Sequence, residues 1–289
     1  MKRRNLLAAG AALAFTPREL LSAPLRTGLP LSAPIHVASV GLRARAADPL
    51  AAWYRRILGL RETGRDGQTI HLGTATRRLL SIREDTRLAL APPGEAGLYH
   101  TAFLMPARAD LARWVRRAAA ERFEVDGAAD HLVSEAIYLT DPEGNGVEIY
   151  ADRPAASWDW SGGQVQKGTE QLDFGGLLAS APDDGAYARA PEGLAIGHVH
   201  MKVGDATRAA RWWQDVVGLD SVRARPGAVF LSSAGYHHHI AVNEWQTRGA
   251  ARRSPQLTGL DFVTLSAAAG FAPKVLVDDW GSEIRLGVA

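Results

Sequence analysis

The feature that most restricts the fold of this chain is an internal repeat. Residues 39–60 (SVGLRARAADPLAAWYRRILGL) and 198–219 (HVHMKVGDATRAARWWQDVVGL) align without a gap at a constant offset of 159 residues. Both read as a strand, a short loop and an amphipathic helix bearing Trp53 and Tyr54 or Trp212 and Trp213, ended by a Gly-Leu stop at Gly59 or Gly218. Strand-like segments follow each copy: Arg61 to Arg65 and Thr69 to Arg83 after the first, then Ser221 to Arg225, Ala228 to Ser233 and His237 to Trp245 after the second.

Two further stretches follow the same plan. The unit between the copies has a strand at Tyr99 to Met105, a helix at Ala109 to Glu121, and a hairpin in which Ser134 to Thr140 and Val147 to Tyr150 flank the turn formers DPEGNG. A last unit opens at Gly259-Leu260-Asp261-Phe262 and ends in DDWGSEIRLGV, which echoes DPEGNGVEIYA, but it lacks room for a full helix. The expected fold is α+β, built from four βαβββ units in two pairs, the fourth truncated. The expected divisions are a leader or disordered extension at 1–34, modules one and two at 35–153, a Gly-, Ala- and Asp-rich linker at 154–193, and modules three and four at 194–289.

Composition narrows the chemistry. Lys and Arg number 33 against 31 Asp and Glu, a net charge of +2, so no nucleic-acid partner is expected. Cysteine is absent, which excludes disulfides and thiolate sites, leaves cytoplasm and periplasm both open, and assigns any metal to His, Asp and Glu. Lys2, Arg3 and Arg4 precede an apolar run from Leu6 to Phe15, too short to span a bilayer. Residues 1–15 fit a twin-arginine-like export leader or an upstream extension of no structural role. The expectation is a cytoplasmic protein without a membrane span, with periplasmic export as the alternative.

Overlaying the units sorts the histidines. The first-strand position holds Ser39, His100, His198 and Phe262 in the four units; the last-strand position holds Glu148 in the second and Arg285 in the fourth. Alone, Glu148 between Val147 and Ile149 is either an outward solvated residue or an inward one with a partner. Together, His100, His198 and Glu148 make a 2-His-1-carboxylate set, suited to Fe(II) or, alternatively, Mn(II), with positions left open for substrate and dioxygen. Alternation along a strand puts His237 and His239 on one face and His238 on the other. His200 shares the face of His198; Tyr138, ten residues before Glu148, is either a substrate-facing hydroxyl or a core residue, and His131 is a further candidate.

The stretches YHTAFLMP, DHLVSEAIYLTDPEGNGVEIYADRP, IGHVHMKVGD with RWWQDVVGL, and GYHHHIAVNEW resemble the vicinal oxygen chelate superfamily, and within it extradiol ring-cleaving dioxygenases of the catechol 2,3-dioxygenase type. The resemblance implies paired cup-shaped modules and an iron held by His198, His100 and Glu148. It also implies an acid-base histidine at His238, with His239 as an alternative, and a substrate-contacting tyrosine at Tyr138. His200, His239 and His131 become substrate-binding candidates, the substrates a small aromatic diol and dioxygen, and homo-oligomers are common in such enzymes. A glyoxalase-like isomerase or lyase with His239 as fourth ligand, and a metal-free small-molecule-binding protein, are the alternatives. One departure stands out: such enzymes place the site between units three and four, whereas here Phe262 and Arg285 hold the ligand positions of unit four, so units two and three must share it.

Overall fold

The structure, a computed structural model, describes residues 30–182, 185–268 and 271–287. The candidate leader at residues 1–15 lies outside them. Strand, helix and three strands occur in succession as β1 (Ile35–Ala44), α1 (Ala47–Leu58), β2 (Arg61–Asp66), β3 (Thr69–Gly73) and β4 (Arg78–Glu84). The second series is β5 (Gly97–Leu104), α2 (Arg108–Glu121), β6 (Gly127–Asp130), β7 (Ser134–Thr140) and β8 (Gly146–Asp152). The connection carries a two-residue-strand hairpin, β9 (Trp160–Ser161) and β10 (Gln164–Val165), and a short helix α3 (Phe174–Ala179). The third series is β11 (Ala195–Lys202), α4 (Ala206–Trp212), β12 (Asp220–Arg225), β13 (Ala228–Ser232) and β14 (Ile240–Asn243). Last come β15 (Gly259–Ala267), β16 (Lys274–Val277) and β17 (Glu283–Leu286), with no helix among the described residues between them.

The repeat is visible in the local chemistry. On α1, Leu50, Ala51, Tyr54, Ile57 and Leu58 recur at helical spacing and are buried, while Arg55 and Arg56 face out. The helix ends at Gly59 with φ of 67°, a left-handed conformation that glycine adopts without a side-chain clash. Its counterpart α4 continues through a π turn at Trp213–Val217 before a matching left-handed stop at Gly218. The two echoing turns also agree. Asp141 Oδ1 accepts from the backbone N–H groups of Glu143 and Asn145, and Asp278 Oδ1 accepts from those of Trp280 and Ser282.

These elements form an α+β fold with two mixed sheets. One has seven strands in the order β16-β17-β15-β1-β4-β3-β2, the other eight in the order β12-β13-β14-β11-β5-β8-β7-β6. Each sheet therefore takes strands from both sequence regions, 35–153 and 194–289: the first and last series share one sheet, the second and third the other. β1 lies against β11 and β15 against β5, and one apolar core runs through both layers, from Leu42 and Leu80 to Phe103, Ile196 and Val199. Trp114, wholly buried on α2, donates its indole N–H to the Ile57 carbonyl on α1, tying the first two series together.

Candidate metal centre

Three neighbouring strands bring the candidate ligands to one face. β11 runs antiparallel to β5 and β5 parallel to β8, so His198, Ala102 and Glu148 form a transverse rung that Tyr138 continues on β7. His100, two residues before Ala102, stands on the same face, opposite His200. This settles the orientation of Glu148 as inward: it is 2% exposed, His198 2% and His100 6%. A β-bulge between Ile196 and His198 accompanies the approach, and at Gly197 any Cβ would collide with the Tyr150 hydroxyl.

Glu148 Oε2 lies 3.0 Å from His100 Nε2 and 3.1 Å from His198 Nε2, and one ligand atom from each residue falls within 4.8 Å of the other two. The His100 contact lacks hydrogen-bond geometry, so His100 Nε2 is a buried nitrogen with no hydrogen-bond partner among the described residues. Glu148 Oε2 is hydrogen-bonded to His198 Nε2, but the unpartnered His100 Nε2 beside them leaves a buried donor set that a divalent ion would complete. Electrostatics agrees. Burial opposes ionisation of Glu148, but His198 and His100 beside it hold its carboxyl well below the usual range. Burial pushes His198 down to about 4 against the pull of Glu148. Glu148 is thus held as a carboxylate beside an unprotonated His198, the forms of these two groups that bind metal.

The other sheet shows what the same frame looks like without ligands. There Ser39 pairs with Thr264 and Thr264 with Arg285, the register that His198, Ala102 and Glu148 occupy opposite. Arg285 packs its guanidinium 3.4 Å from the ring centre of Phe262, which stands where His100 does, and pairs with Glu283. His36 and His71, read as structural, bond to the Ala33 carbonyl and the Ser81 hydroxyl on this side of the molecule.

The ligand face opens into a cavity of about 670 Å³, bordered also by His131, Tyr138, His200 and His238. The Gly168 carbonyl, 2.8 Å from His131 Nδ1, fixes the proton there, so His131 Nε2 accepts the Tyr138 hydroxyl at 2.6 Å. Tyr138 thus directs its proton to His131 and its lone pairs to the cavity. Asn243 takes the Trp245 N–H on its oxygen and donates its amide to His200 Nε2 at 2.9 Å, which leaves the His200 proton on Nδ1.

The three consecutive histidines precede β14, outside a regular strand, yet they separate as alternation requires. His238 enters the cavity and stacks 4.0 Å from the ring of His198. His237 turns to Asp152, 2.8 Å away. His239 does not border the cavity: its nitrogens meet the Pro30 carbonyl and the Ser233 N–H, because its backbone pairs with Leu231 and Val199 and so sends its side chain to the face opposite His238. Burial holds His238 well below its ordinary pKa, so the ring in the cavity is neutral.

Two groups here escape a reading of the sequence. Asp152, pushed up to about 7 by burial, receives the Tyr236 hydroxyl at 2.9 Å behind His237. Lys167 comes from the connecting segment and reaches 3.2 Å from His238 Nδ1. The one available signal for it is composition: only 4 residues are Lys against 29 Arg, so a lysine in an arginine-rich chain marks a position where the choice matters.

A sequence profile described as glyoxalase/bleomycin resistance protein/dioxygenase superfamily matches residues 36–149. A protein of Bacillus subtilis (strain 168) named catechol-2,3-dioxygenase is 36% identical over 236 residues, which span 80% of this chain and 82% of that protein. Among solved structures, a putative dioxygenase from Bacillus subtilis subsp. subtilis str. 168 superposes with a TM-score of 0.55 at 15% identity, covering 87% of this chain and 85% of that one. Glyoxalase I from Zea mays gives 0.54 at 12% identity, covering 87% and 92%. At such identities the structural likeness speaks for the fold, while the sequence relative speaks for kinship. The chain belongs to the glyoxalase/bleomycin resistance protein/dioxygenase superfamily.

Proposed function

We propose that the protein is a metal-dependent extradiol dioxygenase that opens a catechol-type ring, with His100, Glu148 and His198 as the ligands of Fe(II), or alternatively Mn(II). The supporting observation is the buried convergence of two imidazoles and one carboxylate at the floor of an open cavity, in a chain 36% identical to a protein named catechol-2,3-dioxygenase. On this reading the strand series form two cups, and the cup of the second and third series is the reactive one. A ferrous ion held there would supply open coordination positions where a diol and dioxygen meet.

The chain's own residues carry the rest. Of the three ligands Glu148 alone would bring a negative charge, so a divalent ion held there would keep net positive charge and favour a deprotonated diol. His238 is the proton acceptor: His237 gives its Nε2 proton to Asp152 and so accepts the His238 Nδ1 proton at 2.7 Å, leaving the lone pair of His238 Nε2 for a substrate hydroxyl. Tyr138, with His131 behind it, accepts a hydrogen bond from the substrate, and His200 donates from Nδ1. Leu98, Tyr99, Phe230 and Trp245 provide apolar walls for a ring.

The position of His239 weighs against a four-ligand isomerase, since the group of potential ligands among the described residues has three members. Dioxygen consumption with catechol by the iron-loaded protein tests the proposal. Uptake should vanish in Glu148→Ala; no uptake with any of a panel of catechols would refute it.

A further inference from the structure

Three cations gather along one side of the cavity. Lys167, Arg223 and Arg225 border the same cavity, and each like charge lowers the proton affinity of Lys167, which burial first of all pushes down to about 8. No carboxylate of the described residues pairs with any of the three. The acids along the cavity are held by other donors: Glu95 takes the Ser254 N–H, Glu143 those of Arg45 and Ala46, and Asp126 the Thr140 hydroxyl, while Glu148 faces the two imidazoles. Glu148 and Asp152 favour the charged form of Lys167 through space, but neither pairs with it, and Arg225 is exposed to whatever enters the cavity.

The construction is specific. Phe230 offers its ring to two of these cations at once, with Lys167 Nζ 4.7 Å and Arg225 Cζ 5.5 Å from its centre, and Arg225 also lies 5.0 Å from the Trp245 ring. Arg223 serves as a brace. It donates to the Val165 carbonyl at 2.9 Å and to the Gln166 side chain at 3.3 Å, and so fixes the connecting segment that delivers Lys167. The sequence between the two halves is thus no plain linker: it crosses to β12 and places an ammonium beside His238, which itself stacks on the ligand His198.

We infer that Lys167 and Arg225 form a subsite for a carboxylate carried on the ring of the substrate, so that the preferred substrate is an acidic catechol rather than catechol itself. The inference rests on the catechol-cleaving reading for the ring, but the anion subsite stands on its own geometry. An ammonium and a guanidinium that share one aromatic ring at the cavity wall favour a carboxylate there, since each donates charge-assisted hydrogen bonds to its oxygens.

The test uses the iron-loaded protein with two catechols, one bearing a carboxymethyl group and the other an ethyl group at the same ring position. Wild type should favour the acidic compound by about tenfold or more in kcat/KM, as one charge-assisted hydrogen bond allows. In Lys167→Met and in Arg225→Gln the ratio should fall toward one, and Lys167→Arg should restore the preference. A second reading needs no turnover: phenylacetate, which cannot chelate, should quench the tryptophan fluorescence of the metal-free protein at lower concentration than benzyl alcohol, and less effectively as salt rises. Cleavage of both catechols with a ratio near one in wild type overturns the subsite and leaves the catalytic reading intact. Phenylacetate binding no tighter than benzyl alcohol also overturns it. Tight phenylacetate binding without cleavage of either catechol upholds the subsite and refutes the catalytic reading.

Discussion

Replacing Asp141 by alanine should weaken the protein and its metal site together. This carboxylate, 3% exposed, sits in the turn between β7 and β8 and accepts four hydrogen bonds. Oδ1 takes the N–H groups of Glu143 and Asn145, and Oδ2 takes the Tyr54 hydroxyl and the Asn145 amide, each at 2.9 Å. In Asp141→Ala the two backbone groups can turn to water at the exposed Gly144, but Tyr54, 1% exposed, and Asn145, 5% exposed, are left with buried donors. Each such donor costs about 1–3 kcal/mol. Burial also raises the Asp141 pKa against the hydrogen bonds, so holding the carboxylate has its own cost, and the net loss should be about 3 kcal/mol. Urea unfolding of the metal-free protein reads this as a lower midpoint at constant slope. The turn also sets the register that puts Glu148 beside Tyr138 and Ala102, so affinity for Mn(II) should fall by about tenfold in calorimetry. Asp278→Ala, at the matching turn of the other sheet, is the control: it should destabilise without changing metal affinity. A loss under about 1 kcal/mol in Asp141→Ala, or equal loss of metal affinity in both variants, would refute the reasoning.

Other expectations concern the same neighbourhood. The folded pKa of Asp152, about 7, lies above its unfolded value, so its contribution is full below pH about 4 and is lost as pH rises through about 7. Over that window wild type should lose up to ~4 kcal/mol relative to Asp152→Asn, which differential unfolding against pH would detect. Gly197→Ala drives a methyl into the Tyr150 hydroxyl and should cost about 1–3 kcal/mol while displacing His198; a variant of wild-type stability and metal affinity would contradict the close packing read here. Mn(II) at a hundred times its dissociation constant should stabilise the protein by about 2.7 kcal/mol, raising Tm by roughly 5–10 °C, with no rise in His100→Ala.

Much of this site was legible because duplication leaves a ruler in the chain. The offset between Ser39 and His198 identified equivalent strand positions, and the absence of ligands from Phe262 and Arg285 marked one half as inert; the register of both sheets matches that overlay residue for residue. The echo of DPEGNG in DDWGSE likewise anticipated two turns built on one hydrogen-bond plan. Sheet sharing between sequence halves was harder to read, since local periodicity records which face of a strand is buried and says nothing of which distant strand pairs with it. The path of the connecting segment was invisible for a related reason. Lys167 lies between a two-residue strand and irregular chain, where no period exists, and its place depends on Arg223 reaching back from β12. Alternation separated His238 from His237 and His239 but could not say which side enters the site; in the structure His238 does, and His239 points to Pro30.

The central claim is that His100, Glu148 and His198 hold a metal at which a catechol ring and dioxygen react. Oxygen-electrode measurement on anaerobically iron-loaded protein, with catechols added under air and under argon, tests it most directly. The account predicts one dioxygen consumed per ring opened in wild type, none in Glu148→Ala, and no turnover under argon. Turnover that persists under argon, or dioxygen uptake undiminished in Glu148→Ala, would contradict it.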